Sequence, residues 1–518
     1  MPECWISTSC HDAESSKAAY PDAPEFLRSR RNNFDFRGFG RECGVFTAAT
    51  VAVFLASCVH YRPEPLPPEQ VATTFSARRL DDPALRTELD ARLPDRAWPR
   101  ESWDRADLLL AMLHFNDSIR QERATLALAV AGRRTARQRP NPNVSLLTEY
   151  AKEGNQFAGL GGNAPLWLWG LTPDIPLDVG TKRTARIAVA DLTADQARYD
   201  FTEVLWRARS SLRRAAVDVL MTQREVALLE QVQTDRQSQL QMARRRLDAG
   251  AASHGELDRL VADAVANEVR LHDARRRLSA ARSSLAVSIG VPSVAVTSLA
   301  IKWDHLDDAG DVDQSLIAKW RDEALLARGD VHSAVLGYSV AEESLRLEVA
   351  KQYPQVHIGP AYTWDHGVHR VQFNLSMEVP LLNQHRGEIG EAEVRREQAG
   401  ARLEATVATA YEEIDEGIRQ WHLALERVKD ARGPVFEAAQ QIYEATERQF
   451  EAGNSDRTEL VAARVARSLA ELEILDAERT AQDSLATLED AMRRPLEGPE
   501  VDVAVALAPL PGEAKVKQ

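Results

Sequence analysis

Cysteine is nearly missing from this chain of 518 residues. The four cysteines are Cys4, Cys10, Cys43 and Cys58, so the last 460 residues contain none. That region therefore cannot hold a disulfide framework, a zinc site of the CxxC type or a catalytic cysteine. The depletion is expected for a protein that works in an oxidising compartment without disulfides, and it fits chance depletion equally well.

The chain also lacks a basic excess and a long hydrophobic run. Its formal net charge is -14; residues 1–57 hold six Lys or Arg and seven Asp or Glu, so the remainder carries -13. That balance argues against nucleic acid as a partner. No stretch after Cys58 approaches about 18 consecutive apolar residues, so the sequence predicts no transmembrane helix there. If the chain crosses a membrane, it must do so in another way.

Catalytic motifs are missing too. We find no nucleophile elbow, no HExxH and no paired catalytic acids in a recognisable context, so we expect neither enzyme activity nor a cofactor. The stretch GLGGN at 159–163 lacks the Lys-Ser/Thr of a phosphate-binding loop and predicts a flexible hairpin turn. His366 and His369, with His385 further on, have no carboxylates at ligand spacing; we interpret them as a solvated loop, with a metal site as the alternative.

One short apolar run lies near the N-terminus. About twelve residues, from Val45 to Ala56, follow two arginines and end in small residues before Cys58. This is the plan of a secretory signal, and the run is too short to span a bilayer as a permanent helix. We therefore predict a signal sequence over 1–57 that includes an extra N-terminal extension. The alternative is a buried helix with Cys58 as a core thiol.

The residues around Cys58 point to lipid attachment. LASC, which ends at Cys58, resembles the bacterial lipobox, in which cleavage before the cysteine leaves a thiol that carries diacylglycerol. We expect Cys58 to be the lipid anchor, and this covalent lipid to be the only bound group. Each buried methylene contributes about 0.8 kcal/mol, so several acyl chains would hold firmly to a leaflet. The proline-rich VHYRPEPLPPEQ that follows predicts an extended leader over 58–102.

The rest of the chain contains an internal duplication. RRLDAGAASHGELDRL at 245–260 matches RQFEAGNSDRTELVAA at 448–463, and PDIPLDVGTKRTARI at 173–187 matches MEVPLLNQHRGEIGE at 377–391. The landmarks occur in the same order in both halves, which indicates a tandem repeat of one structural unit. We place the repeats at 103–290 and 316–494, the connector at 291–315 and a disordered tail at 495–518.

The longest helix is predicted by the absence of breakers. The 69 residues between Gly180 and Gly250 include no Gly or Pro. They are rich in strong helix formers and predict one helix at 182–248, about 100 Å long. Its counterpart at 386–451 contains Gly433-Pro434, where we expect a kink.

Shorter helices return from the far end of each long one. They are predicted at 256–289 and 457–492, antiparallel to the long helices across short tips. The Arg runs RARSSLRR at 207–214 and RRR at 244–246 lie on the long helix, and we interpret them as solvated faces or contacts between subunits.

Two hairpins are predicted at 143–177 and 355–380. In HRVQFNLSMEVP, apolar residues from Val371 to Val379 alternate with polar ones, which gives one apolar and one polar face. Trp167 and Trp169 are candidate interfacial aromatics. Alternating segments of about nine to eleven residues flanked by aromatics are typical of transmembrane β-barrels; the alternative is a half-buried hairpin in a soluble domain.

The strand count has a consequence for assembly. Two hairpins supply four strands, which cannot close a barrel. An open sheet edge in hydrocarbon would leave unpaired amides and carbonyls at a cost of several kcal/mol each. If these strands span a membrane, several copies of the chain must share one barrel.

Together these features resemble the TolC-like outer-membrane factors, the exit ducts of tripartite efflux pumps and type I secretion systems. The resemblance covers about residues 103–494. HFNDSI departs from the family pattern because Asp117 replaces the usual proline, so we expect a straighter helix there. VGTKRTARI is most similar to members associated with heavy-metal efflux. The other matching stretches are RPNPNVSL and KQYPQVHIG before the hairpins, EVPLLNQHRGEIGEAE after the second, and the tips LDAGAAS and FEAGNSD.

The resemblance implies a fold and partners. The fold is mainly α with a transmembrane β part: tandem-duplicated long antiparallel helices form a periplasmic α-barrel, and four strands per protomer contribute to a shared trimeric β-barrel. The protein would be a homotrimer in the outer membrane of a Gram-negative bacterium, lipid-anchored, with a periplasmic adaptor and an inner-membrane pump as partners.

The resemblance also implies a function without chemistry. We expect a passive outer-membrane channel of a tripartite efflux system for small molecules or metal ions. The alternatives are a duct for type I protein secretion and, from another class, a periplasmic coiled-coil scaffold lipoprotein without a channel.

The implied sites lie at the tips. An acidic ring at the periplasmic gate would be formed by Glu256 and Glu459, and it would be weak because the family's second acid is replaced by Ala462. The alternative role for both glutamates is a charge that complements the helix N-terminus. Adaptor docking is implied for Gly250, Ala251, Gly453 and Asn454.

Overall fold

A computed structural model of the chain describes residues 61–93, 96–150, 167–308, 321, 323–324, 328–365, 367–378 and 381–500. Two units are distinguished, Met1–Pro67 and Pro68–Gln518, and the elements given below lie in the second. Within the described part of the chain, no helix is both long enough and apolar enough to cross a membrane.

The chain is mainly helical, and it contains one small antiparallel sheet. The predicted fold class, long duplicated helices with four strands, is confirmed. The helices are α1 Pro68–Ser76, α2 Pro83–Arg92, α3 Arg105–Phe115, α4 Asp117–Arg137, α5 Lys182–Asp248, α6 His254–Ile289, α7 Gly329–Lys351, α8 Arg386–Asp430, α9 Phe436–Glu451 and α10 Arg457–Met492. The strands are β1 Asn143–Tyr150, β2 Trp167–Leu177, β3 Gln355–Asp365 and β4 Val368–Glu378.

The long helix α5 organises the helical part. It contacts α4, α6, α7 and α10, while α8 contacts α7 and α10, and α9 contacts α10. In its 67 residues, α5 buries small and apolar side chains such as Ala194, Ala216, Val219 and Met221 along the sides that meet these neighbours. An unbroken rod with several neighbouring helices requires apolar residues on more than one face, which explains why no single apolar stripe marks it in the sequence.

The counterpart of α5 is broken where the sequence predicts a kink. A π-type turn at Ala431–Val435 separates α8 from α9, and Gly433 has non-helical angles of φ -82° and ψ -108°. Pro434 follows it and cannot donate a backbone hydrogen bond. The predicted kink is confirmed, and α9 beyond it has no buried residue.

The expected straight helix at Asp117 is wrong, because α3 ends at Phe115 and α4 starts at Asp117. Asn116 between them has φ -68° and ψ 118°, and its side-chain oxygen accepts hydrogen bonds from the amides of Ser118 and Ile119 at 3.0 and 3.2 Å. Its amide Nδ2 also donates to the carbonyl of Ser288 at 2.8 Å. An asparagine cap therefore produces the break without a proline.

Three other expectations are corrected. The leader at 58–102 is not extended throughout: it contains α1 and α2, and Leu85 and Leu89 of α2 are fully buried. They lie one turn apart behind an Asp82 cap, so the helix can bury both against α3. The tail is not disordered from residue 495, since Glu500 is only 3% exposed.

The Arg run at 207–214 is a solvated face only in part, because Arg207 and Arg214 are exposed but Arg209 and Arg213 are buried. Arg209 and Arg213 are 6% and 4% exposed, and each pairs with carboxylates of the same protomer. Those carboxylates come from the far end of the chain, so the local sequence gives no sign of them.

The sheet has the order β1-β2-β3-β4 with all neighbours antiparallel. Leu171 pairs with Tyr362, and Ile175 pairs with Ile358, so the two hairpins join through β2 and β3. Each outer strand, β1 and β4, therefore has one edge that no described strand of the same chain covers.

An ion pair reinforces the α3–α4 break and makes it sensitive to acid. Arg78 donates to Asp117 at 2.9 and 3.1 Å and to the carbonyls of Phe115 and Gly290 at 3.1 and 2.7 Å. The hydrogen bonds from Arg78 are the main cause that lowers the pKa of Asp117. The stabilisation is therefore present above the unfolded pKa of about 3.9 and is lost as the pH falls through the lower folded pKa.

We predict that Asp117→Asn lowers the free energy of unfolding at pH 7 by about 0.5–1 kcal/mol, because the pair is partly exposed. The difference from the wild type should shrink to nothing on acidification below about pH 3. Unfolding in urea followed by circular dichroism measures both values, with the exposed Glu101→Gln as the control. An equal loss at pH 7 and at low pH would contradict the role of the ion pair.

Candidate functional site

One face of the sheet is apolar along all four strands. The β4 side chains on this face are strongly exposed, with Val371 at 84%, Phe373 at 71% and Leu375 at 68%. Such a continuous exposed band requires an apolar medium or a partner to cover it. By strand register the same face carries Val144 and Leu146 of β1, Leu171 and Ile175 of β2, and Val356 and Ile358 of β3.

Aromatic rings gather at one end of this apolar face, where the hairpins turn. Tyr150 and Trp167 have ring centroids 4.9 Å apart, and Trp169 lies 5.4 Å from Tyr362 and 6.4 Å from Trp364. The two tryptophans singled out in the sequence are therefore part of a larger group. Amphipathic rings grouped at the end of an apolar band are typical of a membrane–water boundary.

The opposite face is polar and partly paired. His357 Nδ1 lies 3.0 Å from Asp174, and Arg370 lies 2.8 Å from Asp365. Gly359 also belongs to this face, and a Cβ added to it would lie 2.7 Å from the carbonyl of Pro173. Polar side chains on one face and apolar ones on the other match a sheet that separates water from an apolar phase.

The first tip, between α5 and α6, is a tight turn. Gly250 has φ +71°, and its amide donates to the carbonyl of Leu247 at 2.9 Å, while the Ala251 amide donates to Arg246 at 2.7 Å. Gly250 suits this position because a left-handed conformation strains other residues. Ser253 then caps α6 by accepting the amide of Glu256 at 3.2 Å.

The second tip, between α9 and α10, repeats this design. Gly453 has φ +75° and donates to Phe450 at 3.0 Å, and the Asn454 amide donates to Gln449 at 2.8 Å. Asp456 caps α10 by accepting the amide of Glu459 at 2.9 Å. The exposed glycines and their neighbours thus present two similar turns.

The two candidate gate glutamates have different partners. Arg246 lies 3.6 Å from Glu256 and 3.9 Å from Asp456, so it connects the two tips. Glu459 instead accepts a hydrogen bond from Ser455 at 2.5 Å. Both glutamates are exposed and lie in the first turn of a helix, so the macrodipole role is compatible with the geometry. Sequence reasoning missed Arg246 and Asp456, although a basic last turn facing an acidic cap was a usable signal.

Further ion pairs join the helices above the tips. Asp235 of α5 is 4% exposed and accepts from Arg464 Nε of α10 at 2.9 Å. Arg236 of α5 lies 3.1 Å from Asp263 of α6. These contacts fix α6 and α10 at the same height along two different faces of α5.

The outer helices of the row α6–α5–α10–α9 carry exposed apolar stripes. On α6 these are Val261, Val265 and Val269, each one turn apart and 36%, 53% and 55% exposed. At the other end of the row, Ile442 of α9 is 59% exposed, and Val435, in the turn just before α9, is 49% exposed.

The two stripes lie at one height along the row. Asp263 of α6 is level with Arg236, and Arg464 of α10 is level with the adjacent Asp235. One turn further along α10, the guanidinium of Arg467 lies 5.1 Å from the Tyr443 ring of α9. The stripe on α6 is therefore within about one helical turn of Ile442 in height.

Three of the features singled out in the sequence lie outside the described residues: Cys58, GLGGN and His366. His369 contacts the Tyr362 hydroxyl through Nδ1 at 2.5 Å. Among the described side chains, no group of three or more His, Cys, Asp or Glu residues is placed to hold a metal ion.

The chain is similar to known outer-membrane proteins. The model of the outer membrane efflux protein family matches residues 108–291 and 320–492. The crystal structure of the outer membrane protein VceC from Vibrio cholerae is 16% identical with a TM-score of 0.60, covering 75% of this chain and 96% of that one. The open-state MtrE outer membrane channel of Neisseria gonorrhoeae is 17% identical with a TM-score of 0.60, covering 75% of this chain and 88% of that one.

A third similar structure is the CmeC outer membrane channel of Campylobacter jejuni. It is 14% identical with a TM-score of 0.55, covering 84% of this chain and 90% of that one. At these identities the likeness shows a shared fold. A comparison with curated protein sequences gives no significant match.

Proposed function

The chain belongs to the outer membrane efflux protein family, and we propose that it is a trimeric duct that passes small molecules or metal ions from a periplasmic adaptor and an inner-membrane pump to the exterior. Efflux at the outer membrane is the role of the family, which is a family of channels and not of enzymes.

The sheet carries the proposal. It has an exposed apolar face, a polar face and two uncovered edges on β1 and β4. In hydrocarbon an uncovered edge leaves unsatisfied backbone groups, so β1 of one copy must pair with β4 of the next. Three copies would give a barrel of about twelve strands, which is within the range that encloses an aqueous channel.

The helices support the same ring. One end of the row α6–α5–α10–α9 is α6 of the first repeat, which carries the valine stripe. The other end is α9 of the second repeat, which buries no residue in the protomer. A head-to-tail contact of α6 with α9 of the next copy would cover both stripes at one height. Heterologous contacts of this kind close into rings when the rotation allows.

We predict that Val265→Lys lowers the fraction of trimer by on the order of tenfold, because it places an unpaired charge in an apolar seam. Adding Ile442→Glu to that variant should restore the trimer by pairing the charge. Light scattering of the detergent-solubilised protein measures the mass, and planar bilayers measure conductance, which should follow the trimer.

Val294→Lys is the control for the seam. Val294 is 84% exposed and lies in a short turn, Ser293–Val296, just past the C-terminal end of α6, whereas the valine stripe lies in the N-terminal half of that helix. A trimer that resists Val265→Lys, or a double variant that is no better than the single one, would contradict the proposed contact.

The tips are proposed as the periplasmic gate and the adaptor-docking surface. Three copies of Glu459 and Glu256 near a common axis would form a negative ring that favours cations. Arg246 offsets Glu256, so Glu459 should contribute more of the field. The similar exposed turns at Gly250, Ala251, Gly453 and Asn454 would offer the adaptor repeated contacts around the ring.

We predict that Glu459→Ala reduces the cation-to-anion permeability ratio by about two- to threefold, because three carboxylates are lost at the constriction. Glu256→Ala should have a smaller effect. Reversal potentials in a salt gradient across planar bilayers measure the ratio, and Glu437→Gln on α9 is the control. Unchanged selectivity in both alanine variants would remove the acidic ring from the account.

Lipid attachment at Cys58 is proposed from LASC and the apolar run before it. We predict that Cys58→Ala abolishes incorporation of radiolabelled palmitate, because the acylated thiol is lost, while Cys43→Ala leaves labelling unchanged. Persistent labelling of the Cys58 variant would exclude the lipobox.

The second candidate function is a duct for type I protein secretion. The same sheet and tips would serve it, since a passive conduit does not distinguish small molecules from an unfolded chain. Transport assays with the chain's own pump and adaptor separate the two cargoes.

A further inference from the structure

The chain continues past α10 and turns back onto the first repeat. Arg493, with φ +50°, ends the helix and donates to Glu203 of α5 at 3.0 Å. The amide of Leu496 then donates to Glu489 at 2.8 Å. Arg493, the first residue of the segment Arg493–Glu500, thereby holds the segment against α5.

The acids of this segment complete a closed ring of charges, which we call the ion ring. Three arginines and three glutamates alternate in it, and each member contacts two of opposite charge at 2.9–3.3 Å. Their side chains are 0–8% exposed, except for one glutamate at 18%. In order around the ring they are Arg209, Glu489, Arg213, Glu497, Arg105 and Glu500.

The ring joins distant parts of the chain. Arg105 belongs to α3, Arg209 and Arg213 to α5, and Glu489 to the last turns of α10. The Trp303 ring packs 4.7 Å from the Arg105 guanidinium and 5.6 Å from that of Arg213, which adds the connector between the repeats. The last two carboxylates come from the returning segment.

The backbone of the segment is fitted to the ring. Gly498 has φ +89°, and a Cβ added there would lie 1.7 Å from Arg105 Nη2. Any other residue at this position would be strained and would displace the guanidinium.

An anion-binding site is the competing interpretation of three converging arginines. The cavity that they line with Trp303 and Glu500 has a volume of about 20 Å³, room for a single water molecule. The three carboxylates already balance the three cations. Burial raises the pKa of Glu489, but Arg213 and Arg209 more than offset this and lower it overall, so Glu489 stays ionised. Burial also raises the pKa of Glu500, and there Arg105 and Arg209 offset the rise only in part.

We propose that Arg493–Glu500 is a latch that locks the end of the second repeat onto the first: its two carboxylates complete the ion ring, and the start of α3, the middle of α5 and the end of α10 stay docked only while it is closed. Buried charges are tolerated only when they are paired. The ring is therefore stable when all six members are present and unstable when one member is removed. This inference does not depend on the proposed channel function.

Hydrogen exchange of the full-length protein, measured by mass spectrometry, tests the latch. In Gly498→Ala and in Glu500→Gln, exchange in 485–492 of α10 and 205–214 of α5 should rise at least about tenfold, while the tips stay unchanged. The control is Glu426→Gln, an exposed glutamate of α8. Faster exchange confined to 493–500 would overturn the proposal.

A double variant tests whether the ring acts as one unit. Arg105→Met with Glu500→Gln removes one adjacent pair and leaves the other four members paired. Exchange in α5 and α10 should then be slower than in either single variant, because no unpaired buried charge remains. If the rise in exchange rate in the double variant equals the product of the rises in the two single variants, the ring is not one unit and the latch is overturned.

Discussion

The hydrogen-bonding requirement of backbone at a sheet edge governs the architecture of this protein. The four-stranded sheet has one apolar face and one mainly polar face, and each of its two outer strands leaves a row of backbone amides and carbonyls that no described strand covers. Water can satisfy such a row, but hydrocarbon cannot. In the proposed duct, membrane insertion and association between copies are therefore one event, and each protomer must present matching edges in its helices as well as in its strands.

The long helices are held together by more than apolar packing. Beside buried apolar residues, α5 and α10 also meet their neighbours through small residues and ion pairs. Asp235 with Arg464, and the ion ring around Arg209, take places that a globular protein would fill with leucine. Ionic contacts of this kind add little net stability, but an incomplete one is strongly unfavourable, so they fix the register between long rods that could otherwise slide.

The sequence predicts those features whose cause is local. The alternation from Val371 to Met377, the glycine turns at Gly250 and Gly453, and the breaker pair Gly433-Pro434 each act within a few residues. Features that depend on distant partners are not predictable in this way. Asn116 breaks a helix partly because it reaches the carbonyl of Ser288, and Arg209 is buried because Glu489 and Glu500 arrive from the far end of the chain. A run of arginines has the same local sequence whether its side chains face water or lie in a buried ion ring.

The duplicated units have come to differ because they occupy different places in the row. The first long helix, α5, lies inside it and is unbroken, with buried residues from Ala185 to Ala243. The second is divided, and its lower half, α9, lies at the outside with no buried residue in the protomer. A glycine and a proline inside α5 would remove hydrogen bonds and packing in a helix that contacts five others, whereas at the top of α9 they disturb contacts mainly with α8 and α10. The break is therefore found in the copy of the helix where it disrupts the fewest contacts within the protomer.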